Sequence, residues 1–475
     1  MARGGGELKA RTGAQWLAGL GVALVALAGV SWLAPAAGLW LLGVASWLWR
    51  RPAPAAASWA VVGGGGTALL GLTLTLFGDF GAGLLTGAIG AAAGFVGAQL
   101  SLAAHPATRP LPAPRSPRTA LAVAADEAMK WYWHATGLVS PPPEPLLWIA
   151  SLRAAAERNR SSGVLDDPSR AHPTPPALEK HALRRVELSG LPAAEELRFE
   201  SEFEPRDPEI RERYLAVAPN RTARALLWRN NAGPRPTLIV IHGYGMGRPA
   251  IDARAFDVMR LHQRLGLDVA VVTLPLHGKR AAGRRSGAGF LDAHPLATNA
   301  AFEQAVWELR RLAGWLRAQG SPALGVYGMS LGGYTAALFA SIERGLACVV
   351  PLVPAVSLQA VLGARHSPEE QRMREALGLD DALLSEAWAS HEPLRHRPRV
   401  APEGRLILAG LCDRICTPDQ VEALWEHWER PSIHWFPGSH LAPFGRRELR
   451  ERLDVHLQTT LLAEPQLSRF QIQRA

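Results

Sequence analysis

Two long apolar blocks fill most of the first 108 residues. A helix that spans a bilayer needs about 20 apolar residues, so the uncharged block 13–49 provides two spans with a turn at 34–36. The second block, 52–105, is interrupted at 77–81 and provides two more. Spans three and four are predicted at 59–77 and 81–102. The charged residues between positions 12 and 108 are only Arg50, Arg51 and Asp79. The pattern therefore predicts a bundle of about four transmembrane helices in residues 1–108.

Basic residues stand before the first span, between the second and third spans, and after the fourth span. The clusters are Arg3, Lys9 and Arg11, then Arg50 and Arg51, then Arg109, Arg115 and Arg118. With four spans and a cytoplasmic N-terminus, every cluster lies in the cytoplasm, as the positive-inside rule requires. The sequence therefore predicts an integral, multi-pass membrane protein whose remaining chain is cytoplasmic. The alternative is a cleaved signal peptide whose charged segment is Met1–Arg11.

Small residues mark one face of the fourth span. Glycines at spacings of three and four allow helices to approach closely. This face suits either a compact hairpin within one chain or an oligomer formed through the glycine-rich helices. Asp79, between spans three and four, is interpreted as a loop residue, with an intramembrane functional carboxylate as the alternative. The glycines are Gly83, Gly87, Gly90, Gly94 and Gly97.

Residues 109–195 read as a linker with helical segments. Its first part is rich in proline, and 120–138 follows as a helix that ends before three prolines at 141–143. The aromatic triplet at 131–133 beside Lys130 favours a segment at the membrane surface, with packing on the next domain as the alternative.

The pattern changes after residue 195 to short β-rich runs that alternate with helical ones. This alternation predicts a mostly parallel sheet with helices on both faces, spanning 196–465, and a tail at 466–475. Active residues of such sheets gather at the carboxyl ends of strands. The predicted strands are Leu197–Phe203, Ala223–Trp228, Thr237–His242, Val269–Leu274, Leu324–Tyr327, Cys348–Val353, Arg405–Ala409 and Ser432–Phe436.

One of these strands runs directly into the sequence GMSLGG at 328–333, whose serine is Ser330. A serine between glycines on a tight strand-to-helix turn projects its hydroxyl above the sheet, and the small neighbours relieve the crowding. The helix that follows favours developing negative charge at its N-terminus. Ser330 is therefore the candidate nucleophile.

A serine nucleophile needs a base and a residue that orients the base. In this topology an acid and then a histidine should follow the serine in the chain. Asp413 and His440 meet that order, and each stands just after a predicted strand. Asp419 remains the rival of Asp413. His434, within a strand, and His427, within a helix, remain the rivals of His440.

The body of one predicted strand, 237–241, runs into the sequence HGYGMG at 242–247. Glycines let backbone N–H groups approach a tetrahedral oxyanion, and the N–H of Leu331, directly after the nucleophile, supplies another donor. The histidines His242 and His277 also follow strands and are interpreted as loop-organising residues. Four basic residues lie near the expected mouth of the site. One interpretation is that they hold an acidic group of the substrate, and the alternative is a solvated basic loop. The four residues are Lys279, Arg280, Arg284 and Arg285.

Together these motifs resemble the α/β-hydrolase superfamily of serine hydrolases, over about residues 195–465. The resemblance rests on HGYG, PLHG, GMSLGG, GLCDRICTP and the final GSH, each at a strand end. It implies Ser330 as nucleophile, His440 as base and Asp413 as orienting acid. It also implies Tyr244 and Leu331 as oxyanion donors, and a helical cap over the pocket at about 355–400.

Charge and cysteine content limit the classes of partner and cofactor that we expect. The chain carries 51 Lys and Arg against 42 Asp and Glu, and only three cysteines. No nucleic-acid module or metal-ligand spacing accompanies this excess, so we expect no nucleic-acid partner, metal or organic cofactor. The expected function is a membrane-anchored esterase or lipase-like serine hydrolase acting on an ester or lipid-like small molecule. A thioesterase, acyltransferase or peptidase with the same triad, or a non-catalytic membrane-tethered binding module, are the alternatives.

Overall fold

A computed structural model describes most of the chain. The described residues are 2–26, 34–50, 54–77, 80–103, 113–135, 145–230, 232–291, 294–363, 372 and 376–463. They form two compact units. The first comprises Met1–Val139, Gly410–Asp419 and Trp435–Arg446, and the second comprises Ser140–Ala409, Gln420–His434 and Arg447–Ala475.

Helices make up the N-terminal part of the first unit. They are α1 (Ala2–Ala26), α2 (Ala34–Arg50), α3 (Pro54–Phe77), α4 (Phe80–Ala103) and α5 (Pro117–Ala135). The turn expected at 34–36 is wrong, because α2 begins at Ala34. Pro35 is tolerated there, since the N–H that proline lacks has no acceptor in the first turn of a helix. Asp79 lies outside the described residues.

Two of these helices are long and apolar enough to cross a membrane, Ala55–Phe77 and Phe80–Ala103. Large apolar side chains are exposed where the first of these helices ends and the second begins, since Phe77 is 85% and Phe80 66% exposed. The described residues therefore support two candidate spans by length and composition, where the sequence predicted about four.

The glycine face of α4 packs against α3 in the same chain. A Cβ atom built on Gly71 would lie 2.2 Å from the backbone nitrogen of Gly87, and one on Gly64 would lie 2.2 Å from that of Gly94. Any larger residue at these points would push the two backbones apart. The glycines therefore serve a hairpin within the chain, the first of the two interpretations considered for them.

The second unit contains most of a nine-stranded sheet. Its strands are β1 (Ala182–Leu188), β2 (Leu191–Glu200), β3 (Thr222–Trp228), β4 (Thr237–Ile241), β5 (Asp268–Thr273), β6 (Leu324–Met329), β7 (Leu346–Leu352), β8 (Leu406–Gly410) and β9 (Ser432–Phe436). They lie in the order β1-β2-β3-β5-β4-β6-β7-β8-β9. The pairs β1/β2, β2/β3 and β3/β5 are antiparallel, and β5/β4, β4/β6, β6/β7 and β7/β8 are parallel.

Helices alternate with the parallel strands. They are α6 (Pro145–Ser161), α7 (Pro208–Leu215), α8 (Pro249–Ala255), α9 (Pro295–Ala318), α10 (Leu331–Ile342), α11 (Leu358–Gly363), α12 (Asp381–Ala387), α13 (Pro418–His427) and α14 (Arg446–Thr460). Every residue of β4 is buried, as expected for a parallel strand covered on both faces. Every residue of α10 is buried as well, which agrees with its almost uniformly apolar sequence. This mostly parallel sheet has the α/β-hydrolase fold that the sequence predicted.

The sheet begins earlier than the sequence indicated. Strand β1 was not predicted, and it lies within the stretch expected to be a helical linker. Most of its residues are exposed, and its sequence ALRRVEL carries three charged side chains. Charged side chains are typical of an edge strand, where they discourage pairing with other chains, and they hide the apolar alternation that marks a strand. In the region expected to form a cap, 355–400, the structure shows α11 and α12, and 364–371 and 373–375 lie outside the described residues.

A buried ion pair joins the loop after β5 to α9. The Arg280 side chain is fully buried, and both of its terminal nitrogens lie 2.6 Å from carboxylate oxygens of Glu308. The same guanidinium donates to the carbonyl oxygens of Thr273 at 2.9 Å and Asn220 at 2.8 Å. Arg280 is therefore neither a substrate ligand nor part of a solvated loop, the two interpretations that the sequence offered for it.

Substitution of Glu308 tests this pair. Glu308→Gln leaves the Arg280 charge buried without its partner, and we expect destabilisation of about 3 to 5 kcal/mol. Thermal unfolding followed by circular dichroism should show a midpoint lower by about 10 °C. The matched control is Glu451→Gln, which breaks the exposed pair with Arg447 and should leave the midpoint close to that of the parent chain. Equal midpoints for the two variants would contradict the role of the buried pair.

Candidate active site

Ser330 occupies the turn between β6 and α10. Its backbone has φ of +58° and ψ of −116°, a conformation that is strained for a residue with a side chain. Strain of this kind persists only where surrounding structure enforces it, and it clusters at functional sites. The turn therefore has the geometry that the sequence predicted for a nucleophile at this position.

Two glycines make this turn possible. A Cβ atom on Gly328 would lie 2.0 Å from the carbonyl oxygen of Gly332, and one on Gly332 would lie 2.1 Å from that of Ile241. Both positions exclude any side chain, because real Cβ atoms do not approach oxygen so closely. Each glycine of the GxSxG motif is therefore required by a different steric clash that a side chain would cause.

The end of β7 holds the serine backbone in place. The N–H of Ser330 donates to the carbonyl oxygen of Leu352 at 2.9 Å. The Ser330 carbonyl oxygen accepts from the N–H of Tyr334 at 3.0 Å and from that of Ala355 at 3.2 Å. The strained conformation is therefore fixed by backbone bonds to the neighbouring strand and to α10.

The loop after β4 lies beside the serine. A Cβ atom on Gly243 would lie 3.4 Å from the Cβ of Ser330, so the HGYG segment is in contact range of the turn. Tyr244 follows directly, and its ring meets that of His277 edge-on at 5.7 Å. The Leu331 N–H is at the first position of α10, where helix geometry provides no acceptor from the preceding turn. The structure thus brings both predicted oxyanion positions to the surroundings of Ser330.

The histidine of this loop is structural. His242 Nε2 accepts a hydrogen bond from the N–H of Leu274 at 3.1 Å, and its Nδ1 donates to the carbonyl oxygen of Gly243 at 2.8 Å. Burial lowers the pKa of His242 to about 4, and the charge of Arg280 acts in the same direction. The neutral imidazole therefore ties the loop after β4 to the end of β5, which is the loop-organising role that the sequence indicated.

Asp413 and His440 form a close pair in the first unit. His440 Nδ1 lies 2.8 Å from Asp413 Oδ2, and both side chains are almost completely buried. The other carboxylate oxygen of Asp413 accepts from the N–H groups of Ile415 at 2.8 Å and Cys416 at 2.7 Å. The carboxylate therefore accepts from Nδ1 and holds the imidazole with a proton on that nitrogen.

Burial alone would lower the pKa of His440. The negative charge of Asp413 is the largest influence that opposes burial, and with Cys416 and the hydrogen bonds from both residues it raises the pKa of His440 well above its ordinary value. The Cys416 thiol also hydrogen-bonds His440, and burial raises the pKa of this thiol. All three cysteines are free and buried.

The rival residues lie in other settings. Asp419 is exposed in the first turn of α13. His434 faces Glu448 at 3.9 Å, and His427 Nε2 lies 2.9 Å from the carbonyl oxygen of His396. Among the described residues, no cluster of three or more His, Cys, Asp and Glu side chains is arranged to hold a metal ion.

Sequence reasoning missed Asp126 on α5. This buried carboxylate accepts hydrogen bonds from the backbone N–H groups of Arg414, His440 and Leu441, at 2.9 to 3.0 Å. The only sequence signal was an adjacent acidic pair, Asp126 and Glu127, inside an otherwise apolar helical segment. That signal does not reveal a partner nearly 300 positions away.

No family model matches the sequence. Two relatives from Mycobacterium tuberculosis share long stretches with it. "Uncharacterized protein MT2702", from strain CDC 1551 / Oshkosh, is 37% identical over 327 residues, which cover 66% of this chain and 76% of that protein. "Uncharacterized protein Rv2627c", from strain H37Rv, is 38% identical over 316 residues, which cover 64% and 74% respectively. The chain belongs to the family of these two proteins.

Solved structures similar to this chain include two enzymes. One is acetyl xylan esterase 1 from Thermoanaerobacterium sp. JW/SL YS485, with 18% identity, 67% of this chain and 95% of that chain covered, and a TM-score of 0.43. The other is a monoacylglycerol lipase from Paleococcus ferrophilus, with 20% identity, 50% and 98% covered, and a TM-score of 0.35.

Replacement of Asp413 tests the origin of the raised pKa of His440. In Asp413→Asn the largest influence that raises the pKa of His440 is lost while burial remains, so this pKa should fall markedly from its raised value. An NMR titration of protein labelled with ¹⁵N-histidine measures this pKa directly. The exposed Asp419→Asn variant should leave it unchanged. A pKa near 6.5 in both the parent chain and Asp413→Asn would rule out the assigned pair.

Proposed function

We propose that this protein is a serine hydrolase that cleaves ester bonds. Ser330 is the nucleophile, His440 the general base and Asp413 the residue that orients the base. The backbone N–H groups of Tyr244 and Leu331 bind the oxyanion. The substrate is an ester or lipid-like small molecule.

The reaction follows from the roles of these groups. His440 Nε2 takes the hydroxyl proton as Ser330 Oγ attacks the ester carbonyl carbon, and the two N–H groups stabilise the resulting oxyanion. The tetrahedral intermediate collapses when the C–O bond to the alcohol breaks, and His440 returns the proton to the leaving oxygen. Water then attacks the acyl-enzyme by the same steps and releases the acid.

The observation that carries this proposal is the backbone of Ser330. A φ of +58° is costly at a non-glycine residue, and here two glycines and three backbone hydrogen bonds maintain it. A domain that only binds a partner has no need of such strain at a serine on the carboxyl edge of its sheet. The buried Asp413–His440 pair supports the same conclusion, because Asp413 and His440 each follow a strand on the same side of β6 in the sheet order.

The N-terminal helices anchor this enzyme to a membrane in our proposal. The apolar helices α3 and α4 are long enough to cross a bilayer, and α1 and α2 complete four spans. The alternate positions of the basic clusters favour a cytoplasmic hydrolase domain. An enzyme held at a bilayer meets lipophilic esters at high local concentration, which favours that substrate class.

A fluorophosphonate probe tests the nucleophile. It reacts with an activated serine, so the parent chain should be labelled and Ser330→Ala should not. Ester hydrolysis by Ser330→Ala should fall by about 10⁴-fold or more. A panel of p-nitrophenyl esters, thioesters and amides would separate an esterase from a thioesterase or peptidase.

The matched control is Ser341→Ala, which removes a buried serine from the same helix, α10. This variant should be labelled like the parent chain. Equal labelling of Ser330→Ala and the parent chain would remove Ser330 from the mechanism.

Fusion reporters test the membrane topology. Alkaline phosphatase, which is active only outside the cytoplasm, should be inactive when fused after Ala475, and green fluorescent protein fused there should fluoresce. The opposite pattern would overturn the four-span topology. Recovery of the untagged chain in the soluble fraction after cell lysis would overturn the anchor itself.

A further inference from the structure

A third carboxylate lies next to the Asp413–His440 pair. Asp126 is fully buried on α5, a helix that precedes the first strand of the sheet. Its Oδ2 accepts from the N–H groups of Arg414 at 2.9 Å and His440 at 3.0 Å, and its Oδ1 accepts from that of Leu441 at 3.0 Å. Each N–H belongs to the candidate base or to a direct neighbour of Asp413 or of that base.

The Ser439 hydroxyl completes the arrangement. Its oxygen lies 2.9 Å from both Asp126 Oδ1 and the carbonyl oxygen of Ala122, one helical turn earlier, and its single hydrogen can serve either. The three backbone N–H groups that point at the Asp126 carboxylate can only donate. An ionised carboxylate suits them, because it has acceptor sites only.

A second acidic residue of α5 reinforces the same contact. Glu127 forms an ion pair with Lys130 at 2.9 Å and faces the Arg414 guanidinium at 3.8 Å. Arg414 Nε also donates to Ser101 Oγ on α4 at 3.2 Å. The loop that carries Asp413 is thus held by its backbone through Asp126 and by its Arg414 side chain through Glu127 and Ser101.

We propose that Asp126 is a positioning residue that fixes the two catalytic loops against each other. It holds the backbone of His440 and, through the N–H of Arg414, the residue directly after Asp413. One carboxylate therefore sets the spacing of the acid and the base, which keeps the imidazole aligned with Asp413. This inference rests on the proposed function of His440 and Asp413, and it assigns part of the catalytic framework to a helix outside the sheet.

The experiment compares Asp126→Asn with Asp268→Asn in the full-length chain. Asn has the shape of Asp, but its amide group turns two hydrogens toward backbone donors. Asp268 is also buried and also accepts backbone N–H groups, those of Asn230 at 2.8 Å and Arg235 at 3.3 Å, at the start of β5. It therefore controls for the general effect of removing a buried carboxylate.

The readout is the kinetics of labelling by the fluorophosphonate. For Asp126→Asn we expect the maximal rate constant of Ser330 labelling to fall by about 10- to 100-fold, as misplaced catalytic groups produce. The probe concentration for half-maximal rate should stay within about twofold of the parent value, because the pocket is intact. Asp268→Asn should label at close to the parent rate even if its thermal midpoint falls as far.

Different results would overturn different claims. If the parent chain and Asp268→Asn are labelled, His440→Ala is not, and Asp126→Asn matches the parent chain, the positioning role of Asp126 is wrong and the proposed function stands. If the parent chain is not labelled, the proposed function fails and this inference fails with it. If Asp126→Asn does not fold, Ser439→Ala replaces it as the probe. Labelling of Ser439→Ala should then slow by about threefold or more, and a parent rate would overturn the positioning role.

Discussion

A carboxylate inside a protein is stable only when hydrogen-bond donors surround it, and two carboxylates in this chain meet that condition with the same loops. One carboxylate oxygen of Asp413 accepts hydrogen bonds from the N–H groups of Ile415 and Cys416, and the other accepts from Nδ1 of His440. Asp126 takes the N–H groups of Arg414, His440 and Leu441. The loops after β8 and β9 therefore have the conformations that satisfy these two charges, and the orientation of the imidazole follows from them.

The sheet positions the serine turn, which the two carboxylates do not contact. Parallel strands place their carboxyl ends at one edge, so residues far apart in sequence come to lie after neighbouring strands. At the end of β6 the sheet also enforces a strained serine, because Gly328 and Gly332 admit backbone where a side chain would clash. Rigid strand ends thus hold Ser330, and buried charges hold the Asp413–His440 pair.

Local patterns predicted much of this structure. Strand β4 is a continuous apolar run, and the turn at Ser330 is marked by glycines within a few positions, so both are visible in a short window of sequence. The contact between Asp413 and His440 was also foreseeable, because each residue follows a predicted strand. Strand β1 was missed because its charged edge residues hide the alternation, and the start of α2 was missed because a proline was read as a turn.

Contacts between distant segments were beyond prediction for a physical reason. Arg280 looks like one of several basic loop residues, and only the three-dimensional structure brings Glu308 to it. Asp126 looks like a polar position on a surface helix, yet its donors lie near positions 414 and 440. Nothing local distinguishes a solvated acid from one that organises a loop, since the difference lies in what packs on it.

The energetics of Asp126 explain why an ionisable residue is retained there. Burial, reinforced by the charge of Asp413, raises the pKa of Asp126 to about 6. A raised carboxyl pKa favours the folded state below the ordinary pKa of 3.8, and this contribution is lost as the pH rises through about 6. At neutral pH the ionised group therefore costs about 3 kcal/mol relative to an unperturbed carboxylate. An apolar residue would avoid that cost but would leave three backbone N–H groups without an acceptor, at about 1 to 3 kcal/mol each. At about 1 kcal/mol for each N–H group, an apolar residue would cost as much as the ionised carboxylate. At about 3 kcal/mol for each group, it would cost clearly more. The carboxylate therefore holds the loops of His440 and Asp413 at no greater cost than an apolar side chain would carry.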